Sequence, residues 1–177
     1  MKQIILLLLF IPLVSFGQEM KESFQTENGV LISFKKPNGV TKYEGNATNN
    51  PYAVAIYNFT NDITSNFSIN AKPVALKGQT ELNNMNKEDI YKSLAEAYNR
   101  TPDGAGIKTK LIEFSTVKIN DKLFGEAIVE INLIYKGSYY FFYTKNTIIS
   151  ITGTSLKSNY NNFYPRFLDF VNSIEIK

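Results

Sequence analysis

The 177-residue chain contains no cysteine, no histidine and no tryptophan. The first two absences exclude much of the chemistry from which protein sites are built. Without imidazole or thiol there is no Ser-His-Asp triad and no Cys-His nucleophile. Zinc, copper and haem lose their usual ligands, and dithiol redox chemistry is impossible. Disulfides are excluded too, so an exported chain of this sequence holds its fold by packing alone. What survives is carboxylate, Lys, Ser-Lys and Tyr chemistry, together with oxygen-ligated calcium or magnesium. No calcium loop of alternating acids is present. Gly104-Ala105-Gly106 lacks the Lys of a phosphate loop and opens no helix. Charge of one sign is also scarce. The net charge is +3 at pH 7, and the longest basic run is Lys35-Lys36, whereas a nucleic-acid surface needs clustered Lys and Arg. The expectation is no cofactor, no metal and no nucleic acid.

One apolar run opens the chain, from Ile4 to Val14. It is too short to span a bilayer in the ordinary way. Lys2 precedes it, and Ser15-Phe16-Gly17 offers small residues where a signal peptidase reads. Residues 1–17 therefore read as a secretory signal peptide. The lipid-anchored route of export needs a cysteine at the cleavage site and is excluded. Residues 18–27 are polar and read as a flexible leader. Residues 28–177 suit one domain, long enough to bury a core without staples. No later segment has the length and apolarity of a membrane helix. The expected protein is exported and soluble, in the periplasm or outside the cell, and its lack of cysteine fits a bacterial envelope.

The stretch from Lys122 to Lys177 organises the rest. Ala127, Val129, Ile131 and Leu133 share one parity, opposite the mostly polar Glu126, Ile128, Glu130, Asn132 and Ile134. Period two with β-branched residues predicts a strand with one buried face. Lys136-Gly137 reads as a turn. Ser138 to Thr144 is aromatic on both parities, the pattern of a central strand covered on both faces. Lys145-Asn146 turns the chain into a third strand, Thr147 to Thr152, completing an antiparallel meander. Phe163, Phe167, Phe170 and Ile174, with Val171, then form one helical stripe. Pro165 is tolerated near a helix start, so this helix is expected to begin near Tyr164.

Upstream, Val30 to Phe34 reads as a strand, ended by the turn Lys36-Pro37-Asn38-Gly39. Glu44 to Asn50 is loop, and Tyr52 to Phe59 is a second strand. Asn66 to Ala71 reads as a short edge strand, and Lys72 to Glu81 as loop. Asn86 is a natural N-cap, answered by Asp89 three residues on, for a helix burying Ile90, Leu94, Ala97 and Tyr98. Lys108 to Ile119 is a long strand, and Asn120-Asp121 turns it into the meander. Hairpin-connected strands with helices at two points give an α+β fold: a central antiparallel sheet flanked by helices, an α/β/α sandwich.

In this order the chain resembles the PsbP-like domain family, the fold of a photosystem extrinsic subunit and its exported bacterial relatives. The resemblance rests on Val30 to Gly39, on the helix after Asn86, and on Ile149-Ser150-Ile151-Thr152-Gly153. Tyr160, Tyr164-Pro165, Phe167 and Phe170 to Ile174 complete it. It covers nearly all of the chain after the signal segment. It implies an assembly or accessory factor outside the cytoplasmic membrane rather than an enzyme. The metal binding of some plant members is not implied, because no residue here matches their site.

Glu126 and Glu130 are the best paired carboxylates, four apart on one strand face. That separation is about 14 Å along the strand, beyond the glycosidase spacing of about 5–9.5 Å. Asp62, Asp103 and Asp121 sit at turns, where turn chemistry explains them. The tyrosines carry the only positive functional signal, because Tyr suits surfaces with one end buried and one end wet. Tyr139, Tyr140, Tyr143 and Tyr160 are the candidate ligand or partner residues. The favoured expectation is a non-enzymatic binding or assembly protein with an unidentified envelope partner. One alternative is a carrier or sensor of a small apolar ligand in a Tyr-rich pocket, and a second is a carboxylate-based hydrolase. A closed sheet–helix interface would count against the carrier. Two carboxylates converging in a cleft would favour the enzyme.

Overall fold

A computed structural model describes residues 21–43, 51–99 and 106–177. The expected signal peptide, the loop at 44–50 and most of the turn at 101–106 lie outside the described residues. Strands β1 (Lys21–Gln25), β2 (Leu31–Lys35), β3 (Val40–Lys42), β4 (Ala53–Phe59) and β5 (Asp62–Pro73) come first. Helices α1 (Leu76–Asn83) and α2 (Lys87–Glu96) follow. Next come β6 (Thr109–Ile119), β7 (Lys122–Ile131), β8 (Tyr135–Tyr143) and β9 (Thr147–Leu156), and finally α3 (Tyr160–Asn172) and β10 (Glu175–Ile176). The main sheet has the order β3-β4-β5-β9-β8-β7-β6, and β1-β2-β10 forms a second, three-stranded sheet. All described pairings are antiparallel.

The meander and its closing helix form as the periodicity predicts. Strand β8 lies inside the sheet, and every residue from Gly137 to Tyr143 is buried. Alternation along β8 divides its aromatic rings between two cores. Tyr140 and Phe142 join Phe67, Ile69, Ile149 and Ile151 beneath Phe163, Phe167 and Phe170 of α3. Tyr139, Phe141 and Tyr143 join Ala127 and Val129 against Ile90, Tyr91 and Ala95 of α2. The helices approach the sheet at glycines. A Cβ on Gly153 would stand 2.7 Å from the Phe167 ring, and one on Gly125 would overlap Tyr91.

Helices thus lie on both faces, but strands dominate the architecture, and the expected three-layer sandwich is met only in part. Ile32, Phe34 and Ile176 of the second sheet share the core under α3, and α1 buries no residue.

Several local expectations are corrected. The polar leader contains β1, which pairs with β2 from Lys21↔Lys35 to Gln25↔Leu31. Its anchor is Phe24, whose ring stacks on Phe34 at 5.8 Å. Strand β5 is an interior strand of twelve residues, between β4 and β9, rather than a short edge. Part of the loop expected at 72–81 is helix α1. The turn between β7 and β8 falls at Asn132-Leu133, with φ of 50° and 61°, and Lys136-Gly137 belongs to β8. Gly137 serves close packing there, since a Cβ would meet the Tyr139 ring at 2.7 Å. Helix α3 begins at Tyr160 and contains Pro165; the helix tolerates the loss of one ladder donor to Asn161. In α2 the Asn86 cap accepts from the Asp89 N–H at 2.8 Å as predicted. Ile90 is buried and Leu94 and Tyr98 pack half-buried beside it as expected, but Tyr91 and Ala95 join that face and Ala97 is exposed.

Candidate functional site

Register places Glu126 opposite Tyr140 of β8 on one side and Ser115 of β6 on the other. Residues paired across strands share a sheet face, so all three lie on the face that carries α3. That helix covers the phenylalanine-rich middle of the sheet. Its first turns present Tyr160 and Tyr164, four apart and therefore neighbours on one helix face. Between these tyrosines and the β6–β7 pair lies a cleft of about 250 Å³, lined by Glu113, Ser115, Glu126, Ile128, Lys136, Tyr160 and Tyr164.

The interior wall of this cleft is a hydroxyl–carboxylate network. Glu126 Oε1 accepts from the Tyr140 hydroxyl at 2.6 Å and from the Tyr164 hydroxyl at 2.9 Å. The two hydroxyls lie 3.2 Å apart, and Ser115 Oγ is 3.4 Å from Glu126 Oε2. The Tyr160 hydroxyl bonds Ser138 Oγ. Its ring stacks on Tyr164 at 5.5 Å and carries the Lys136 ammonium 4.3 Å from its centroid.

Burial is the main force pushing these phenols up in pKa. Tyr160 is pushed up to about 12, with the nearby Tyr164, Glu126 and Glu113 adding to burial and the Ser138 bond opposing it. Tyr140 is raised further by burial and by its bond to Glu126. Tyr164 is raised by burial, against its bond with Tyr140 and with the help of Glu126. All three remain neutral hydroxyls near pH 7 and act as donors.

The four candidate tyrosines do not form one pocket. Tyr160 lines the cleft, and the Tyr140 hydroxyl reaches it through Glu126. Tyr139 and Tyr143 lie on the opposite face. The Tyr139 ring packs 4.5 Å from Tyr98, and the Tyr143 hydroxyl donates to Asn83 Oδ1 at 3.3 Å and to the Lys145 carbonyl at 3.1 Å. Glu130, paired with Glu126 in the sequence reading, makes an ion pair with Lys157. The carboxylate that joins Glu126 in the cleft is Glu113, one strand away. Tyr164 and Lys136 were also missed. Tyr164 is signalled by its spacing of four from Tyr160 once the helix is extended past Pro165.

Chemically the cleft can recognise polar groups through Glu113 and Lys136, because its tyrosine hydroxyls are engaged with Glu126 and Ser138. Glu126 Oε1 is taken by two hydroxyl hydrogen bonds, whereas Oε2 has only the 3.4 Å contact from Ser115. Among the described residues, no group of three or more acidic side chains is placed to hold a metal. No described helix is long and apolar enough to cross a membrane.

No family model and no curated protein matches the sequence. Solved structures do resemble it. Cyanobacterial PsbP from Synechocystis sp. PCC 6803 is 11% identical, over 92% of this chain and 96% of that one, with a TM-score of 0.65. LpqN of Mycobacterium tuberculosis, involved in cell envelope biogenesis, is 8% identical over 89% and 91% of the two chains, with a TM-score of 0.57. A protein of Bacteroides thetaiotaomicron is 13% identical over 82% of this chain and 45% of its own, with a TM-score of 0.45. At such identities the likeness is one of fold, and the fold is PsbP-like.

Proposed function

With the PsbP-like fold as premise, we propose that this chain is an exported, non-enzymatic binding or accessory protein of the bacterial envelope. It recognises a partner protein through the rim of the α3 cleft. The observation that carries this reading is the internal engagement of the cleft's inner wall. Tyr140, Tyr164 and Glu126 bond one another, so the groups left facing outward are the rim charges Glu113 and Lys136 and the Tyr160–Tyr164 edge. The likeness in fold to a protein involved in cell envelope biogenesis supports the setting. The apolar run at residues 4–14 supports export.

The apolar-carrier reading is weakened by the closed interface, where Phe167 leaves no room even for a methyl group on Gly153. A second reading is favoured by one observation: Glu113 and Glu126 line the same cleft, as a carboxylate hydrolase would need. One experiment separates the two. Affinity capture from an envelope extract with the parent chain should retain a partner that the Glu113→Lys, Lys136→Glu double variant loses. Turnover of a glycoside or ester that is abolished by Glu126→Gln, without loss of fold, would replace the binding reading with the enzymatic one.

A further inference from the structure

At the end of the main sheet where β7 turns into β8, aliphatic side chains face outward. Leu133 is 76% exposed, Ile134 58% and Ile107 55%. Asn132 fastens the two segments together. Its N–H donates to the Lys108 carbonyl at 2.8 Å, and its side-chain oxygen accepts from the Lys108 N–H at 2.7 Å. Ile107 therefore stands beside the hairpin tip. Ile63, 89% exposed, occupies the start of β5 at the same end of the sheet. Two strand spacings separate β5 from β8, so Ile63 lies about 10 Å from Ile134.

Leu133 is the anomalous residue. Its φ is 61°, a left-handed conformation that crowds any Cβ and that Gly or Asn adopts most readily. Hairpin turns with two positive φ values favour Asn-Gly, and here Asn132 is followed by leucine. The fold gains neither local geometry nor burial from that choice. Lys108 lies exposed beside it. Lys110 lies exposed two residues further along, in β6, opposite Glu130, which is ion-paired with Lys157, and the Lys157 N–H donates to the Ile134 carbonyl at 2.9 Å.

We propose that this end of the sheet docks reversibly on an anionic lipid surface. Leu133, Ile134 and Ile107 enter the boundary between headgroups and acyl chains, and Lys108 and Lys110 meet the phosphates. Three observations favour lipid over a protein partner. The exposed side chains sit at protruding tips rather than in a groove. None is Trp, Tyr or Arg, the side chains that dominate protein hot spots, where Leu is under-represented. The adjoining lysines complement anionic headgroups. The patch is separate from the α3 cleft, and its test leaves the partner reading untouched.

The test is co-sedimentation with vesicles of phosphatidylethanolamine containing one quarter phosphatidylglycerol. The protein used begins at Gln18, so that the Ile4–Val14 run cannot bind lipid itself. The parent should sediment with the vesicles, less so as salt rises. Leu133→Gly should bind about tenfold more weakly, the loss expected for one buried aliphatic side chain, while its urea midpoint stays level or rises. Ile107→Ser should weaken binding similarly. The proposal is overturned if the parent sediments equally without vesicles, if Leu133→Gly binds as the parent does, or if the patch instead drives dimerisation without lipid.

Discussion

Replacing Gly153 with alanine tests the contact that seats α3 on the sheet. Alanine is intrinsically better than glycine in a strand by about 0.5–1 kcal/mol, so an isolated strand would gain stability. The structure predicts a loss. The new β carbon would stand 2.7 Å from Cγ and Cδ2 of Phe167 and 2.8 Å from Cδ1. Non-bonded carbons settle at about 3.5–4.0 Å, so the ring must retreat by roughly 1 Å. Phe167 is fully buried. Its ring lies 5.6 Å from Phe163, 5.9 Å from Tyr140, 6.4 Å from Phe170 and 6.5 Å from Phe67. Overpacking such a site costs about 1–3 kcal/mol. Offset by propensity, the net destabilisation is about 0–2.5 kcal/mol, centred near 1, or a fall in Tm of up to about 10 °C for a chain of this size. Urea and thermal unfolding of both proteins measure it. Phe167→Leu in the Gly153→Ala background should recover part of the loss, because the smaller side chain can yield. A Gly153→Ala protein more stable than the parent, by the gain expected for an open strand position, would refute the seating of α3.

Glu126→Leu leaves the buried Tyr140 hydroxyl and the Tyr164 hydroxyl without their shared acceptor; it should cost about 1–3 kcal/mol in urea unfolding, and a null result would show that the network does not form. For Tyr160 the folded pKa is raised from 10.0 to about 12, so its contribution is complete below pH 10 and is lost as pH rises through 12. Urea midpoints across that window should fall more steeply for the parent than for Tyr160→Phe. Asn86→Ala removes the side-chain cap of α2 and should cost about 1 kcal/mol, whereas Asn86→Gly should cost only a few tenths.

The most legible segments were those in which one signal served one purpose. The stripe of α3 and the doubly aromatic β8 both answer to burial alone, and both formed as the spacing required. Legibility failed where a residue served a purpose that local pattern does not encode. Gly137 looks like a turn residue, but it is small because the Tyr139 ring and Thr154 occupy the space a Cβ would need. The true turn at Asn132-Leu133 carries no glycine and so gave no turn signal. Strand β5 reads as a short edge because Asn66, Ser68 and Asn70 disfavour strand. In the sheet these residues make polar rungs, with Ser68 2.8 Å from Thr152 and Asn66 accepting from Thr154 at 3.1 Å. The cleft is half legible. Tyr140, Tyr160 and Glu126 stand out, but Glu113 joins Glu126 only through the cross-strand register that runs unbroken from Ile119↔Lys122 to Glu113↔Ile128.

The distribution of tyrosine hydroxyls gives the aromatic band a structural task. Several buried phenols fasten an element to its neighbour. Tyr57 bonds Glu22 and so ties the main sheet to β1. Tyr91 donates to the Leu123 carbonyl at 2.9 Å and ties α2 to β7. Tyr160 joins Ser138, and Tyr164 joins Glu126, so α3 is held to β8 and β7 by hydroxyls at two successive turns. A buried hydroxyl left without a partner costs about 1–3 kcal/mol. Each such pair therefore penalises any displacement of its element, a constraint that disulfides would impose in a cysteine-bearing chain. Phenols engaged in this way are not available to a ligand, and recognition is left to side chains whose removal leaves these ties intact. Glu113 and Lys136 at the cleft and Leu133 at the hairpin tip meet that condition, which is why the binding tests act on them rather than on the tyrosines.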